Sequence, residues 1–235
     1  MSNLEIFFNI DINDFKLNVF IVDKVNGNNL LNKDFNFDKL SNSNFLIVDE
    51  IKNILKKIIV QIEKQIDVSV SKINLMIEQE ISHNIDLSVK KNFENKNIDK
   101  KNVEYIIQNL RQQLLINNPD KKFIHILVKK CLIDEEEYNI IPLGKKCKNF
   151  VVHLSFIYLP KKLFKNLEKL FNEHQIIIKK VICTNYAKSL IVPEYDNLSK
   201  SGLNILNGTN LNEVGIIPKK MNKLGFFEKL FHIFS

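Results

Sequence analysis

Apolar side chains recur along this chain at alternating spacing in some stretches and at helical spacing in others, and the two rhythms follow one another in order. Residues 4–12 carry Ile6, Phe7, Phe8 and Ile10 in an imperfect alternation that predicts a buried strand. Residues 15–22 read as its hairpin partner, with Asn13 and Asp14 as turn residues between them. Asn26-Gly27 marks another tight turn, and 34–38 a short third strand. The clearest helix spans 49–66, where Ile51, Ile54, Leu55, Ile58, Ile59, Ile62 and Ile66 repeat at helical spacing behind Asp49 as a cap. Residues 70–77 return to strand.

A second unit runs over about 81–160. Residues 81–89 predict a strand, and Asp99 starts a helix whose face is Val103, Ile106, Ile107, Leu110 and Leu114. Asn117-Asn118-Pro119-Asp120 stops it. Residues 123–133 are strand-like, 134–137 form an acidic turn, and 149–159 are a strand. Pro160 opens a helix to about residue 173, with Leu163, Phe164, Leu167, Leu170 and Phe171 on its core face; proline at the first helical position loses no hydrogen bond. Residues 176–183 form a further strand, apolar enough to be central. Past Pro193 the pattern fades, and 193–218 reads as a linker, with 203–206 able to form a short strand. The fold class is therefore α/β (α+β).

The last residues form an amphipathic helix. At about 100° per residue, Leu224, Phe226, Phe227, Leu230, Phe231, Ile233 and Phe234 fall on one half, and Gly225, Glu228, Lys229, His232 and Ser235 on the other. Lys219, Lys220 and Lys223 sit just upstream, after Pro218. The segment is too short to span a bilayer, which takes about 20 residues, but suits the interface. Near an anionic leaflet each lysine adds about 1 kcal/mol, while the apolar face adds several at about 1.5–3 kcal/mol per fully buried large side chain. The expected membrane contacts are therefore Lys219, Lys220, Lys223, Leu224, Phe226, Phe227, Lys229, Leu230, Phe231, Ile233 and Phe234. The alternative is a terminal helix packed on its own domain.

Composition adds little. The chain has 235 residues, 45% of them hydrophobic, which suffices for one sizeable core or a domain with an inserted subdomain. Its formal charge of +7 permits contact with nucleic acid or anionic lipid. Lysines are scattered, however, and Arg111 is the sole arginine, so no nucleic-acid partner is expected. Cys131, Cys147 and Cys183 lack metal-site spacing and read as reduced thiols of a cytoplasmic protein. No signal peptide is expected, since Met1 to Leu4 lacks a basic region before the apolar run, and no apolar run reaches transmembrane length.

Catalytic chemistry has no visible support. His83, His125, His153, His174 and His232 do not pair at metal-ligand spacing, and six scattered glycines form no phosphate-cradling cluster. His125 and His153 lie in adjacent expected strands and could meet across a sheet; the plainer reading is two half-buried strand histidines. Asp134-Glu135-Glu136-Glu137 reads as a solvated turn rather than a cation site. Lys145-Lys146-Lys148 and Lys161-Lys162-Lys165 read as solvated surface.

Several stretches together resemble the bacterial cell-division protein FtsA, a membrane-tethered relative of actin. His125-Ile-Leu-Val-Lys-Lys-Cys-Leu-Ile-Asp134, then Ile141-Pro-Leu-Gly144, then Val151-Val-His-Leu154 resemble its His-hydrophobic-hydrophobic-Pro, Ile-Asp, Asn-Pro-hydrophobic-Gly and Val-His pattern. Ile10-Asp11-Ile12 resembles its opening phosphate strand, Tyr186-Ala-Lys-Ser189 the turn closing its first half, and the C-terminal Gly-Phe-Phe segment its amphipathic anchor. The similarity covers about 4–192 and the tail.

It implies an actin/ribonuclease-H-like first lobe (1–80 and 161–192) with an inserted strand-helix-strand-strand subdomain (81–160), a linker (193–218) and a membrane-targeting helix (219–235). The implied function is a non-enzymatic adaptor that holds division-machinery proteins, such as FtsZ or late divisome components, at the cytoplasmic face of the membrane at the division site. Self-association through exposed strand edges is a further implied contact.

The departures are specific. Asn13 and Asp14 stand where the family's phosphate loop has glycine and a small hydroxyl residue, and a carboxylate there repels phosphate. The family's second lobe, with the other wall of its nucleotide cleft and its main FtsZ-binding surface, has no counterpart after Ser189. No cofactor is expected, ATP included. Two alternatives remain: an actin-like ATPase with a degenerate nucleotide site, in which Asp11 is the metal-side carboxylate, or a soluble pilus-type assembly scaffold whose tail packs on its own core.

Overall fold

The structure is a computed structural model and describes residues 3–11, 14–36, 46–78, 81–193 and 197–214. The expected membrane contacts between Lys219 and Phe234, and Asn13 of the first turn, lie outside the described residues.

The first lobe is built on a five-stranded sheet. β1 (Leu4–Asp11) pairs antiparallel with β2 (Lys16–Asp23), which pairs antiparallel with β3 (Asn29–Asn36). On the other side of β1 lie β4 (Lys72–Ile77) and then β9 (Ile177–Cys183), both parallel, giving the order β3-β2-β1-β4-β9. Three meandering strands followed by two parallel ones returning through helices are the topology of an actin/ribonuclease-H-like lobe. β1 and β4 are buried on both faces; one face is wholly apolar, and the other sets Glu5, Asn9 and Asn74 among Phe7 and Met76.

One face buries Ile6, Phe8, Ile10, Leu75 and Ile77 beneath α1 (Leu46–Ile66) and α3 (Lys161–Glu173). Phe8 meets Phe171 edge-on at 5.7 Å between ring centres. The opposite face buries Phe7, Phe20, Val22, Met76 and Ile182 beneath α4 (Thr184–Ser189) and α5 (Leu198–Asn207).

α5 corrects the reading of 193–218 as a linker with little structure. Asn197 caps it by accepting from the Lys200 N–H at 2.9 Å, and Gly208 ends it at φ 68°. Single-stretch periodicity misses this helix because its buried face includes Ser199, Ser201 and Gly202 beside Leu203 and Ile205. Small residues are there because the helix rides directly on the sheet: a Cβ on Gly202 would lie 2.8 Å from Cε1 of Phe7.

The inserted subdomain runs β5 (His83–Asn97), α2 (Lys100–Asn117), β6 (Lys121–Ile133), the short β7 (Glu136–Tyr138) and β8 (Lys146–Pro160). Its antiparallel sheet has the order β5-β8-β6-β7. α2 covers one face with Val103, Ile106, Ile107 and Leu114 against Ile126, Val152, Leu154 and Phe156. Asp99 caps α2 as expected, accepting from the Asn102 N–H at 2.7 Å.

Other boundaries move. Asp49 lies inside α1, and Pro160 caps α3 instead of occupying its first turn. Part of the acidic run is strand: Asp134 and Glu135 turn with φ 46° and 82°, and Glu136 starts β7. No helix among the described residues is long and apolar enough to cross a membrane.

Candidate functional site

The sequence-based candidate for a phosphate site is the turn between β1 and β2. Here Asp11 accepts the Asp14 N–H at 3.1 Å, and the Asp14 carboxylate holds Lys16 at 3.0 Å. The turn thus carries two acidic side chains, with Asp11 engaged in bracing the backbone. Beyond the strand ends, Thr184 donates to Oδ1 of buried Asn9 at 2.8 Å, and Glu78 pairs with Lys188 at 3.0 Å. These contacts tie β1 and the end of β4 to α4 through paired polar side chains.

The other concentration of polar groups lies where subdomain and lobe meet. β6 brings His125 under the end of β9, fully buried. Its Nε2 accepts the Cys183 N–H at 3.1 Å, so the ring proton is on Nδ1, which donates to Oε1 of Glu213 at 2.8 Å. Glu213 Oε2 accepts the Tyr186 hydroxyl at 2.8 Å, and Asn210 donates to that hydroxyl at 2.8 Å. The Tyr186 ring packs edge-on against His125, 4.8 Å between centres, and Lys180 stands 3.7 Å from Glu213.

Main-chain bonds complete the junction. Val128 N–H donates to Asn212 C=O at 2.8 Å and Val214 N–H to Ile126 C=O at 2.9 Å, so residues 212–214 extend the β6 edge that β7 leaves open. A cavity of about 370 Å³ beside it is lined by Ile126, Lys180, Ile205, Gly208, Glu213 and Val214, among others.

Burial lowers the pKa of His125, and it stays neutral. Burial alone would raise Glu213; the bonds from His125 and Tyr186 and the Lys180 charge outweigh it and hold the carboxyl below its ordinary value. Burial pushes the Tyr186 hydroxyl well up. Every reactive-looking group here is engaged in holding another: His125 donates and accepts, and both Glu213 oxygens are occupied. The arrangement fastens the segment after α5 to β6, β9 and α4.

The sequence-based candidates fall apart in space. His125 and His153 do stand on neighbouring strands, but His125 faces Ile157 and His153 faces Lys130. His153 Nδ1 is 2.7 Å from the Ser88 hydroxyl. Asp134 is a turn lock, accepting the Lys148 and Asn149 N–H groups at 3.1 and 2.8 Å. Lys145 lies 2.9 Å from Glu136 and also contacts Tyr138. Cys131, Cys147 and Cys183 are free and buried, and burial pushes the Cys131 thiol up to about 11. Among the described residues no three His, Cys, Asp or Glu side chains are grouped as metal ligands would be. Glu213 went unnoticed because a lone acid in a polar stretch carries no local sign of burial.

No family model matches the chain, and no curated protein matches its sequence. Solved structures do match. One is a Bacteroides thetaiotaomicron protein with an actin-like ATPase fold and unknown function, at 11% identity and TM-score 0.37, covering 80% of this chain and 54% of that one. Another is a chain of the PilM–PilN type IV pilus biogenesis complex, at 7% identity and TM-score 0.43, covering 80% and 48%. A third is the cytoplasmic domain of EpsL, an inner-membrane component of the type II secretion system of Vibrio cholerae, at 8% identity and TM-score 0.41, covering 81% and 60%. The chain thus spans about half to three fifths of the length of these structures.

Proposed function

We propose that this protein is a non-enzymatic adaptor of the FtsA-like kind, tethering division-machinery proteins to the cytoplasmic face of the membrane through its C-terminal amphipathic segment. The observation that carries this reading is the fastening of Glu213 to His125 and Tyr186. It roots residues 212–214 on β6 of the inserted subdomain, and the amphipathic segment follows them in the sequence. A tether with a rooted base holds the body near the surface it binds. The carboxylate of Asp14 in the β1–β2 turn supports the non-enzymatic part, because it opposes phosphate where an actin-like ATPase needs it.

The test is flotation with vesicles containing about one fifth anionic lipid, using the whole chain, a version ending at Pro218, and the Phe227→Glu/Phe231→Glu variant, each with and without FtsZ. Flotation of the whole chain alone, with FtsZ carried along, is the expected result. Loss of flotation in neither altered version would remove the tail from the mechanism.

A second reading is a pilus-type assembly scaffold, the setting named for the PilM–PilN structure, with the tail packed on its own core. The packing of α5 on the lobe shortly before the tail favours it. In that case the Phe227→Glu/Phe231→Glu variant loses thermal stability instead of merely leaving the vesicle.

A further inference from the structure

The inserted sheet ends in a long edge. β5 pairs with β8 and forms the end of the order β5-β8-β6-β7, so its outer row of backbone N–H and C=O groups faces no strand among the described residues. From His83 to Asn92 the pairing with β8 is regular; it breaks between Asn92 and Lys96, where Glu94 and Asn95 take φ 52° and 64°. Natural edge strands are usually shortened, bulged or covered, because an open ladder templates another strand. This one keeps a regularly paired stretch and is bulged only past its end.

The side chains of that stretch are self-complementary. In an antiparallel pair of two copies related by a two-fold axis, residue i faces the residue equally far beyond the axis, on the same side of the sheet. With the axis at Ser88, Asp86 faces Lys90 twice and Leu87 faces Val89 twice. Asn84 then faces Asn92 at the limit of the regular stretch. Moving the axis to Asp86 or Lys90 sets like charges directly opposite. Moving it to Leu87 or Val89 leaves Asp86 facing Ser88 or Asn92. Opposite charges across a ladder stabilise it and like charges weaken it, so one register stands out.

The surroundings agree with it. Asp86, Ser88 and Lys90 are exposed on the face away from α2, whereas Ile85, Leu87 and Val89 are half-buried and pack toward the α2 core. The Leu87–Val89 pairs would continue that core across the joint. The Asp86 carboxyl is held below its ordinary value, chiefly by the Ser155 hydroxyl. Because the partner strand runs the other way, the two first lobes lie at opposite ends of the joined sheet.

We infer that β5 is the contact surface for a second copy of this chain, which adds its own β5 antiparallel about Ser88 to make one eight-stranded sheet. The contact is independent of lipid binding and stands or falls apart from the adaptor reading.

The experiment uses the whole chain. Sedimentation velocity up to about 100 µM, equivalent to a standard free energy near −5.5 kcal/mol, reads the monomer–dimer equilibrium. Mild oxidation of Ser88→Cys and, as an off-axis control, of Asn92→Cys reads the register. The expected result is a dimer that cross-links through Ser88→Cys and not through Asn92→Cys. Lys90→Asp should dissociate it by about tenfold or more, and the exchanged pair Asp86→Lys/Lys90→Asp should restore it. A chain that stays monomeric overturns the inference. So does a dimer that ignores Lys90→Asp, or one that links equally through both cysteines.

Discussion

His125 and Glu213, separated by 88 positions, meet at 2.8 Å between Nδ1 and Oε1 in the buried seam between lobe and subdomain. The bond ties the middle of β6 to the segment after α5, and through Cys183 and Tyr186 it reaches β9 and α4. This hydrogen bond, with the main-chain bonds of Val128 and Val214 beside it, joins parts of the chain that local structure leaves independent.

Replacing Glu213 with alanine strips acceptors from two buried donors, the His125 Nδ1–H and the Tyr186 hydroxyl. Each unsatisfied group costs about 1–3 kcal/mol, so urea unfolding of Glu213→Ala should show a loss of at least about 2 kcal/mol. Glu213→Gln keeps an acceptor and should lose less.

Acid should weaken the same seam. His125 has a lowered folded pKa, so its contribution is complete above the ordinary imidazole value of about 6.5 and falls as pH drops below it toward the folded value. Glu213, also lowered, contributes above the ordinary carboxyl value of about 4.3 and loses that contribution at still lower pH. Melting temperature measured from pH 7.5 to 5 should decline, and His125→Asn should flatten the slope while lowering the whole curve.

Gly202 should tolerate no side chain without rearrangement. An added Cβ falls 2.8 Å from Cε1 of the fully buried Phe7. Overpacking of this kind costs about 1–3 kcal/mol, partly offset by the helix preference of alanine. Gly202→Ala should therefore melt lower than the parent, and Phe7→Leu in the same chain should recover part of the loss.

Asp99 offers a local control. Its carboxylate caps α2 through the Asn102 N–H, and removing such a cap costs about 1 kcal/mol. Asp99→Ala should lower stability by that amount without altering the pH slope set by His125.

Magnesium and ATP at millimolar concentration should leave the melting temperature unchanged, because Asp14 sits in the turn that would receive phosphate. A rise of several degrees would support the degenerate-ATPase alternative and return Asp11 to the metal side of the site.

Most of the elements were legible in the chain itself. Helical repeats of isoleucine marked α1, Asp99 marked the start of α2, imperfect alternation marked β1, and strand-like apolar runs marked β2, β6 and β8. These signals are local, because a period of apolar residues or a capping carboxylate acts over a few neighbouring positions. β3 starts earlier than its reading at 34–38, and α5 was missed, since Ser199, Ser201 and Gly202 are buried there by close approach to the sheet rather than by their own hydrophobicity.

What the sequence determined by itself was most of the succession of strands and helices, their amphipathic faces, and the acidic character of the first turn. Tertiary structure alone decided that His125 is wholly buried instead of half-buried, that its partner is Glu213 instead of His153, and that residues 197–214 belong to the body of the protein. The reason is that burial of a polar group depends on the partners brought to it from distant positions. Those partners are specified by how whole sheets and helices pack, and no short stretch of residues records that.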